Sequence, residues 1–266
     1  MLDQITPVLL TYNEDQNIGR TLSHLVWAKD IVVVDSGSTD GTLAVLARFP
    51  NVRVFSRRFD THGNQWRYAT QETKIATDWL LRLDADYQLT DALVAELGRL
   101  DPNAAVSAYR IGFDYAVFSR KLLSSLYPSK VILLRKGCFA VSDKGHADVW
   151  DVHGRVVTLN GRIIHDDWKP TSQWLIGEAR VLQRELDWTH VHKAGLVHWL
   201  RVRPPLMPVA VFLYCLFGKG LILNGRAGMF YALQRMVAEA VLSLMVLEEK
   251  LRDHSTRAAR PVSEDH

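Results

Sequence analysis

An α/β fold built on a mostly parallel sheet is predicted by three observations. Short apolar runs of strand length alternate with segments of helical period through the first hundred residues. Each run stops at a polar loop, and several of those stops carry an acid. In such a sheet right-handed crossovers gather the strand ends along one edge, and ligands bind in the crevice beyond them. The chain of 266 residues, 48% hydrophobic and 23% charged, is long and apolar enough to bury a large core.

The elements follow in order. Ile5 to Tyr12 is the first strand, Asn13-Glu14-Asp15-Gln16-Asn17 a polar loop, and Ile18, Leu22, Leu25 and Val26 recur at helical spacing. Ile31 to Val34 is a β-branched run ending at Asp35; Ser36-Gly37-Ser38-Thr39-Asp40-Gly41-Thr42 then leads into a helix carrying Leu43, Leu46 and Ala47. Val52 to Phe55 is the third strand and Asn64 to Ile75 the next helix. Trp79 to Leu83, too short for a core helix, is the fourth strand and ends in Asp84-Ala85-Asp86. Thr90 opens a helix over Asp91 to Leu100, and Ala105 to Phe113 reads as a strand. Asp114 to Pro128 reads as a long loop with Arg120, Lys121 and three aromatic residues, and loops of that length inside a domain are functional or poorly ordered. Val131 to Leu134 and Phe139 to Val141 are expected to pair as a hairpin, and Thr171 to Leu186 to form a helix. His190 and His192, at i, i+2 spacing without carboxylate support, read as surface histidines.

Composition excludes several classes. A net charge of +3 is too small to argue for nucleic acid as a partner. Cys138 and Cys215 lie far apart without metal-ligand spacing, so no disulfide framework is expected and a reducing cytosol is the expected compartment. The N-terminus lacks a basic segment followed by an apolar one, so export by a signal peptide is not expected.

What the strand ends carry defines the sheet. Gly-x-Gly-x-x-Gly is absent after the first strand, as is the Gly-x4-Gly-Lys-Ser/Thr loop, which disfavours dinucleotide and P-loop sites. Glu14, Asp35, Asp84 and Asp86 stand there instead. Two hard oxygen ligands on so short a tether as Asp84-Ala85-Asp86 suit Mg²⁺ or Mn²⁺ beside the phosphates of a nucleotide.

Thr11-Tyr12-Asn13-Glu14, Val32-Val33-Val34-Asp35-Ser36-Gly37-Ser38-Thr39-Asp40-Gly41-Thr42 and Leu83-Asp84-Ala85-Asp86, in this order over roughly the first 115 residues, resemble the successive motifs of family 2 glycosyltransferases of the GT-A fold. The likeness is greatest to the bacterial branch that includes lipopolysaccharide-core glycosyltransferases. The resemblance implies a Rossmann-like nucleotide-diphospho-sugar transferase sheet in which Thr11, Tyr12, Glu14 and Asp35 line the base and ribose pocket. It further implies that Asp84 faces the ribose or the metal, and that Asp86 holds the metal bridging the diphosphate. Arg67 is a departure, since relatives commonly have Asn there; it is either a contact to a donor phosphate or acidic sugar, or a surface residue. The long loop from Asp114 lies where an acceptor would enter.

Inverting transfer needs a base for the acceptor hydroxyl. Relatives place it, and often a His that closes the nucleotide-metal site, downstream of the Asp-x-Asp. Two clusters qualify: Lys144-Gly145-His146-Ala147-Asp148 and His165-Asp166-Asp167-Trp168-Lys169-Pro170. His165 is the expected metal-side histidine, and the order for the base is Asp167, Asp166, then Asp148. One of Asp166 and Asp167 is expected to cap the helix that follows.

The expected organisation is a GT-A domain over 1–195, an amphipathic helical hairpin over 196–252 and a disordered tail over 253–266. Leu206 to Phe217 is too short to cross a bilayer. Met229 to Leu251 is apolar on more than half its circumference, and Trp199, Arg201, Arg203, Lys219 and Arg226 flank the apolar surface as interfacial anchors do. The implied protein is cytoplasmic and peripheral on the inner face of the cell membrane, taking a nucleotide-sugar donor and a lipid-linked or glycan acceptor. A nucleotidyltransferase would need a basic, Gly-rich loop where Asn13-Glu14-Asp15 stands. The remaining alternative is a non-catalytic nucleotide-sugar-binding or scaffolding member of the same fold.

Overall fold

A computed structural model describes residues 1–144, 147–191, 196–201, 203 and 206–258, and the chain divides into two compact units, Met1–Lys169 and Pro170–His266. In the first, β1 (Ile5–Thr11), β2 (Ile31–Asp35), β3 (Val52–Ser56) and β4 (Trp79–Asp84) run parallel in the order β3-β2-β1-β4. The crossovers carry α1 (Ile18–Ser23), α2 (Thr42–Leu46) and α3 (His62–Gln71). The period-2 alternation of the strands supplies two cores. Ile5, Leu9, Val33, Trp79, Leu81 and Leu83 pack with Ile18 and Leu22 of α1, while Val8, Val32, Val34 and Leu80 pack with Trp66 and Ala69 of α3. Both faces are therefore covered, which is why all five residues of β2 are buried.

β5 (Tyr87–Leu89) follows Asp86 almost at once, and α4 (Asp91–Arg99) is capped by Thr90, whose hydroxyl accepts from Leu93 N at 3.2 Å. α4 lies against β11 (Val156–His165) so closely that a Cβ on Gly161 would stand 2.6 Å from Leu93 Cα. Beyond β4 the sheet continues through β8 (Lys130–Arg135), β6 (Ala108–Val117), β11 and β5. β8 is antiparallel to both neighbours, β5 is antiparallel to β11, and β6 and β11 are parallel, so the sheet is mixed.

Two local expectations are corrected. Asp114 to Val117 are not loop but the end of β6, which turns at Phe118 and Ser119 into the short β7 (Arg120–Lys121). The segments expected to form a hairpin do not pair with each other: β8 is a central strand between β4 and β6, and β9 (Phe139–Lys144) pairs instead with β10 (Ala147–Val152). Local pattern identifies such runs as strands, but partners distant in sequence decide where they pair.

The order of strands constrains the shape of this unit. Laid flat, four strand spacings would separate β4 from β5 by about 19 Å. The three Cα steps from Asp84 to Tyr87 reach at most about 11 Å. The sheet is therefore curled, with the Asp84-Ala85-Asp86 turn bridging its two halves.

The second unit is helical: α5 (Thr171–Val191), α6 (Leu196–Arg201), α7 (Leu206–Leu213) and α8 (Gly225–Ala258). Leu182 and Leu186 of α5 pack against Ala238, Leu242 and Val246 of α8. Arg201 pairs with Glu239 at 2.7 Å, and Arg235 with Glu178 at 3.4 Å. His146, His192 and residues 259–266 lie outside the described residues, as do the side chains of Asp148 and His190.

Candidate active site

The loop after β2 is organised by Asp35, which is 1% exposed. One carboxylate oxygen accepts from the backbone N–H groups of Gly37 (2.8 Å) and Ser38 (2.9 Å), the other from the hydroxyls of Thr11 (3.2 Å) and Ser38 (2.5 Å). Asp35 and Thr11 thus hold the base of the crevice together. The loop is joined to the one after β1: Asn13, at φ +54°, donates its N–H to Ser38 Oγ (2.9 Å) and accepts from Thr39 N (2.8 Å). Glu14 N donates to Thr42 Oγ1 at 2.7 Å, and that hydroxyl donates to Asp40. From the other side Gln65 of α3 donates to Ser36 Oγ at 2.8 Å. Tyr12 is left half exposed at the mouth of these loops.

Behind them lies a network centred on Asn17, which is 0% exposed. Its Nδ2 donates to Glu14 Oε2 (3.0 Å) and Asp167 Oδ1 (2.7 Å), and its Oδ1 accepts from Trp168 N (2.9 Å). Lys169 pairs with Glu14 through its ammonium group and donates its backbone N–H to Asp167 Oδ1 at 2.9 Å. Burial pushes Glu14 from 4.5 up to about 7 against the pull of Lys169, and the Asp86 charge adds to the rise. Burial also acts to lower Lys169, but the carboxylates of Glu14, Asp167 and Asp86 outweigh it and hold the ammonium above its ordinary range.

At the end of β4, Asp86 Oδ2 meets His165 Nε2 at 3.0 Å. Burial would raise the Asp86 carboxyl, but His165, followed by Lys169, holds it below the ordinary carboxylate range. The other Asp86 oxygen, Oδ1, and His165 Nδ1 are both buried without a hydrogen-bond partner among the described residues. The rings of Tyr87, Tyr115 and Tyr127 enclose His165 at centroid distances of 5.3, 4.8 and 4.4 Å. The hydroxyls of Tyr87 and Tyr127 hydrogen-bond to each other, and Lys130 Nζ donates to them at 2.8 and 2.5 Å. Lys130 also stands 3.9 Å from Asp84, whose carboxylate is half exposed.

The structure thus gathers Glu14, Asp84, Asp86, His165 and Asp167 at one sheet edge, with Thr11 and Asp35 beneath. Asp166 differs from its neighbour. It is 1% exposed, and its Oδ2 pairs with Arg20 and accepts from Trp168 Nε1 (2.9 Å) and Ser119 N (3.0 Å). Arg20 also lies over the Trp168 ring at 4.4 Å. Arg67 is exposed on α3 and bonds Asn64 one helical turn back. Asp148 sits on β10. Sequence reading assigned no role to Asn17, Arg20, Lys130 or Lys169. Asn17 carries the signature of a capping residue, and two of its three bonds, to Asp167 and Trp168, cross about 150 positions of chain and leave no local signal.

A divalent cation fits these residues. An unpartnered buried carboxylate oxygen at Asp86 suits one, and among the described residues four carboxylates (Glu14, Asp84, Asp86 and Asp167) face two ammonium groups (Lys130 and Lys169). Among the described residues no three His, Cys, Asp or Glu side chains form a metal cluster by themselves. Mg²⁺ is held by one or two carboxylates, with waters and substrate phosphates completing its shell.

The chain is similar to several known proteins. The family model for glycosyl transferase family 2 matches residues 7–147, reaching beyond the first 115. A lipopolysaccharide core biosynthesis glycosyltransferase, LpsC of Rhizobium meliloti, is 26% identical over 157 residues, 54% of this chain and 56% of that protein. An uncharacterized glycosyltransferase of Rickettsia conorii is 29% identical over 98 residues, 36% of this chain and 34% of that one. The chain therefore spans between a third and a little over half of the length of these relatives. Among solved structures, glucosyl-3-phosphoglycerate synthase from Mycobacterium tuberculosis in complex with Mn²⁺, uridine-diphosphate and glucosyl-3-phosphoglycerate is 22% identical, with a TM-score of 0.33, over 42% of this chain and 43% of that one. The family match, with the alternating α/β sheet and long C-terminal helix, bears out the expected GT-A class.

Proposed function

Since the chain belongs to glycosyl transferase family 2, matched over more than half its length, we propose that it is a metal-dependent inverting glycosyltransferase. It moves a sugar from a nucleoside-diphosphate sugar to a lipid-linked or lipopolysaccharide-type acceptor, the substrate class being suggested by the name of the Rhizobium relative. The observation that carries the reading is the excess of carboxylates over ammonium groups around an unpartnered Asp86 oxygen. A diphosphate entering that field is repelled unless a cation comes with it. Mg²⁺ or Mn²⁺, when bound, offsets the charge of the leaving diphosphate. Asp86 and Asp84 would hold it with His165 alongside, and Thr11, Tyr12, Glu14 and Asp35 would line or support the nucleoside pocket.

Asp167 takes the acceptor proton in this reading. What supports it over Asp166 is that Asp166 lies fully inside an ion pair with Arg20, whereas Asp167 is only partly buried and is oriented by Asn17 and the Lys169 N–H. Titration calorimetry against a panel of nucleoside diphosphates is the test. Micromolar binding of one of them is expected with Mn²⁺ and at least tenfold weaker binding without it. Equal affinity with and without the metal would remove the metal from the mechanism.

Membrane contact rests on the second unit. Where α7 passes into α8, Tyr214, Phe217, Ile222 and Leu223 are exposed, Leu223 at 80%, beside Lys219 and Arg226. By length and composition the helix Leu221–Arg252 is apolar enough to cross a membrane. Yet its Arg235 and Glu239 make ion pairs midway along it, and ionised side chains at a bilayer centre cost about 2.5–3.5 kcal/mol each. The exposed tip is therefore the part assigned to the leaflet. Flotation with anionic vesicles should carry the intact protein upward and lose it when Phe217 and Leu223 are both changed to Ser. A wild-type protein that stays soluble and ignores the vesicles would make the helices a packing device only.

A further inference from the structure

The first unit contains a cavity of about 210 Å³ beside β6, outside the donor site described above. Pairing of β6 with β8 ends at Ile111, and the chain from Leu122 to Tyr127 covers the stretch beyond, with Leu122 N donating to Tyr115 O at 2.8 Å. The lining is mostly polar and combines Phe113, Tyr115 and Tyr127, Ser124 and Ser125 of the loop, and the charged pair Asp114 and Arg162.

The charged pair is built rather than incidental. Arg162 reaches across β6 from β11, donating Nε to Asp114 Oδ1 and Nη2 to Phe113 O, both at 2.5 Å. Only glycine at 112 leaves that path open, because a Cβ there would stand 2.8 Å from Arg162 Nη1. Lys121 of β7 meets the other Asp114 oxygen at 2.6 Å. Burial acts to raise Asp114, but Lys121 and Arg162 outweigh it and hold the carboxyl below its ordinary range, so it remains an ionised acceptor of hydrogen bonds.

We propose that this cavity binds one sugar ring of the acceptor, with Asp114 accepting from its hydroxyls and Tyr115 and Tyr127 at the wall towards His165. The inference rests on the glycosyl-transfer reading and adds to it where the acceptor docks. A mostly polar lining with a charge-fixed carboxylate suits a ring hydroxylated around its rim. The volume falls below the range of about 300–1,000 Å³ for drug-sized ligands, which fits a single ring. Placement agrees: Tyr115 and Tyr127, which line the cavity, also touch His165, which bonds Asp86. A layer of tyrosine and the His165 ring separate the cavity from the carboxylate assigned to the metal.

The test uses the full chain labelled with 3-fluorotyrosine and a deacylated lipopolysaccharide core oligosaccharide as probe. Fluorine resonances of Tyr115 and Tyr127, assigned by Tyr→Phe variants, are expected to shift on titration. Asp114→Asn, and separately the cavity-filling Ser124→Trp, should each weaken oligosaccharide binding at least tenfold while leaving nucleoside diphosphate binding with Mn²⁺ within twofold. The second variant guards against a purely structural role for the ion pairs of Asp114. A probe that shifts neither tyrosine, or that binds both variants as tightly as wild type, overturns the proposal. Oligosaccharide binding as expected, in a wild-type protein that binds no nucleoside diphosphate, supports the cavity and strikes instead at the transferase reading.

Discussion

Asp86→Ala is expected to lower sugar transfer by roughly 10³-fold or more while leaving the protein folded, because several kcal/mol of charge stabilisation at the leaving group correspond to that factor. The Asp86 oxygen Oδ1 is buried with no hydrogen-bond partner, so the fold gains nothing from it that a methyl group would forfeit. The other oxygen meets only His165 among the hydrogen bonds described, and His165 stays caged by three tyrosine rings when that bond is lost. Activity and stability should therefore separate. Transfer measured at saturating Mn²⁺ would collapse, and the thermal midpoint would shift by no more than a few degrees. Undiminished transfer by this variant would sink the assignment of the site.

Asn17→Ala should cost stability as well as transfer, about 3 kcal/mol, because it removes the bonds that hold Glu14 and orient Asp167. Three hydrogen bonds end on this fully buried side chain, two of them on the carboxylates of Glu14 and Asp167. Truncation leaves those oxygens and the Trp168 N–H facing an empty apolar space, and bonds to charged groups contribute about 1.5–3 kcal/mol each. Asn17→Asp should be at least as damaging, since it adds a carboxylate beside two others. Urea unfolding midpoints decide the matter: a loss below about 0.5 kcal/mol, the range of ordinary surface substitutions, would mean the network is not holding the site.

The part of the molecule legible from sequence is the part built from neighbours in the chain. The four parallel strands, their helices and the acids at their ends follow from runs such as Ile31–Asp35 and Trp79–Asp84, whose burial is decided by local alternation. Lys130–Arg135 was legible as a strand, but not its insertion between β4 and β6, which depends on partners tens of residues away on either side. The same divide runs through the site. Asp86 and His165 announce themselves by type and context, whereas the difference between Asp166 and Asp167 does not. Adjacent residues on an irregular segment face different ways, and here one meets Arg20 and the other Asn17.

The curled sheet makes the length of one turn as consequential as its chemistry. Only Ala85 and Asp86 join β4 to β5, and β5 pairs Tyr87 with His165. Side chains alternate strictly along a strand, so one residue more in that turn would exchange the two faces of β5. Tyr87 would leave the aromatic cage, Lys130 would lose one of its two phenol acceptors, and His165 would be left beside water instead of a ring. The spacing of the two aspartates is thus also a ruler, measuring how far the two halves of the sheet stand apart where the donor is assigned to bind.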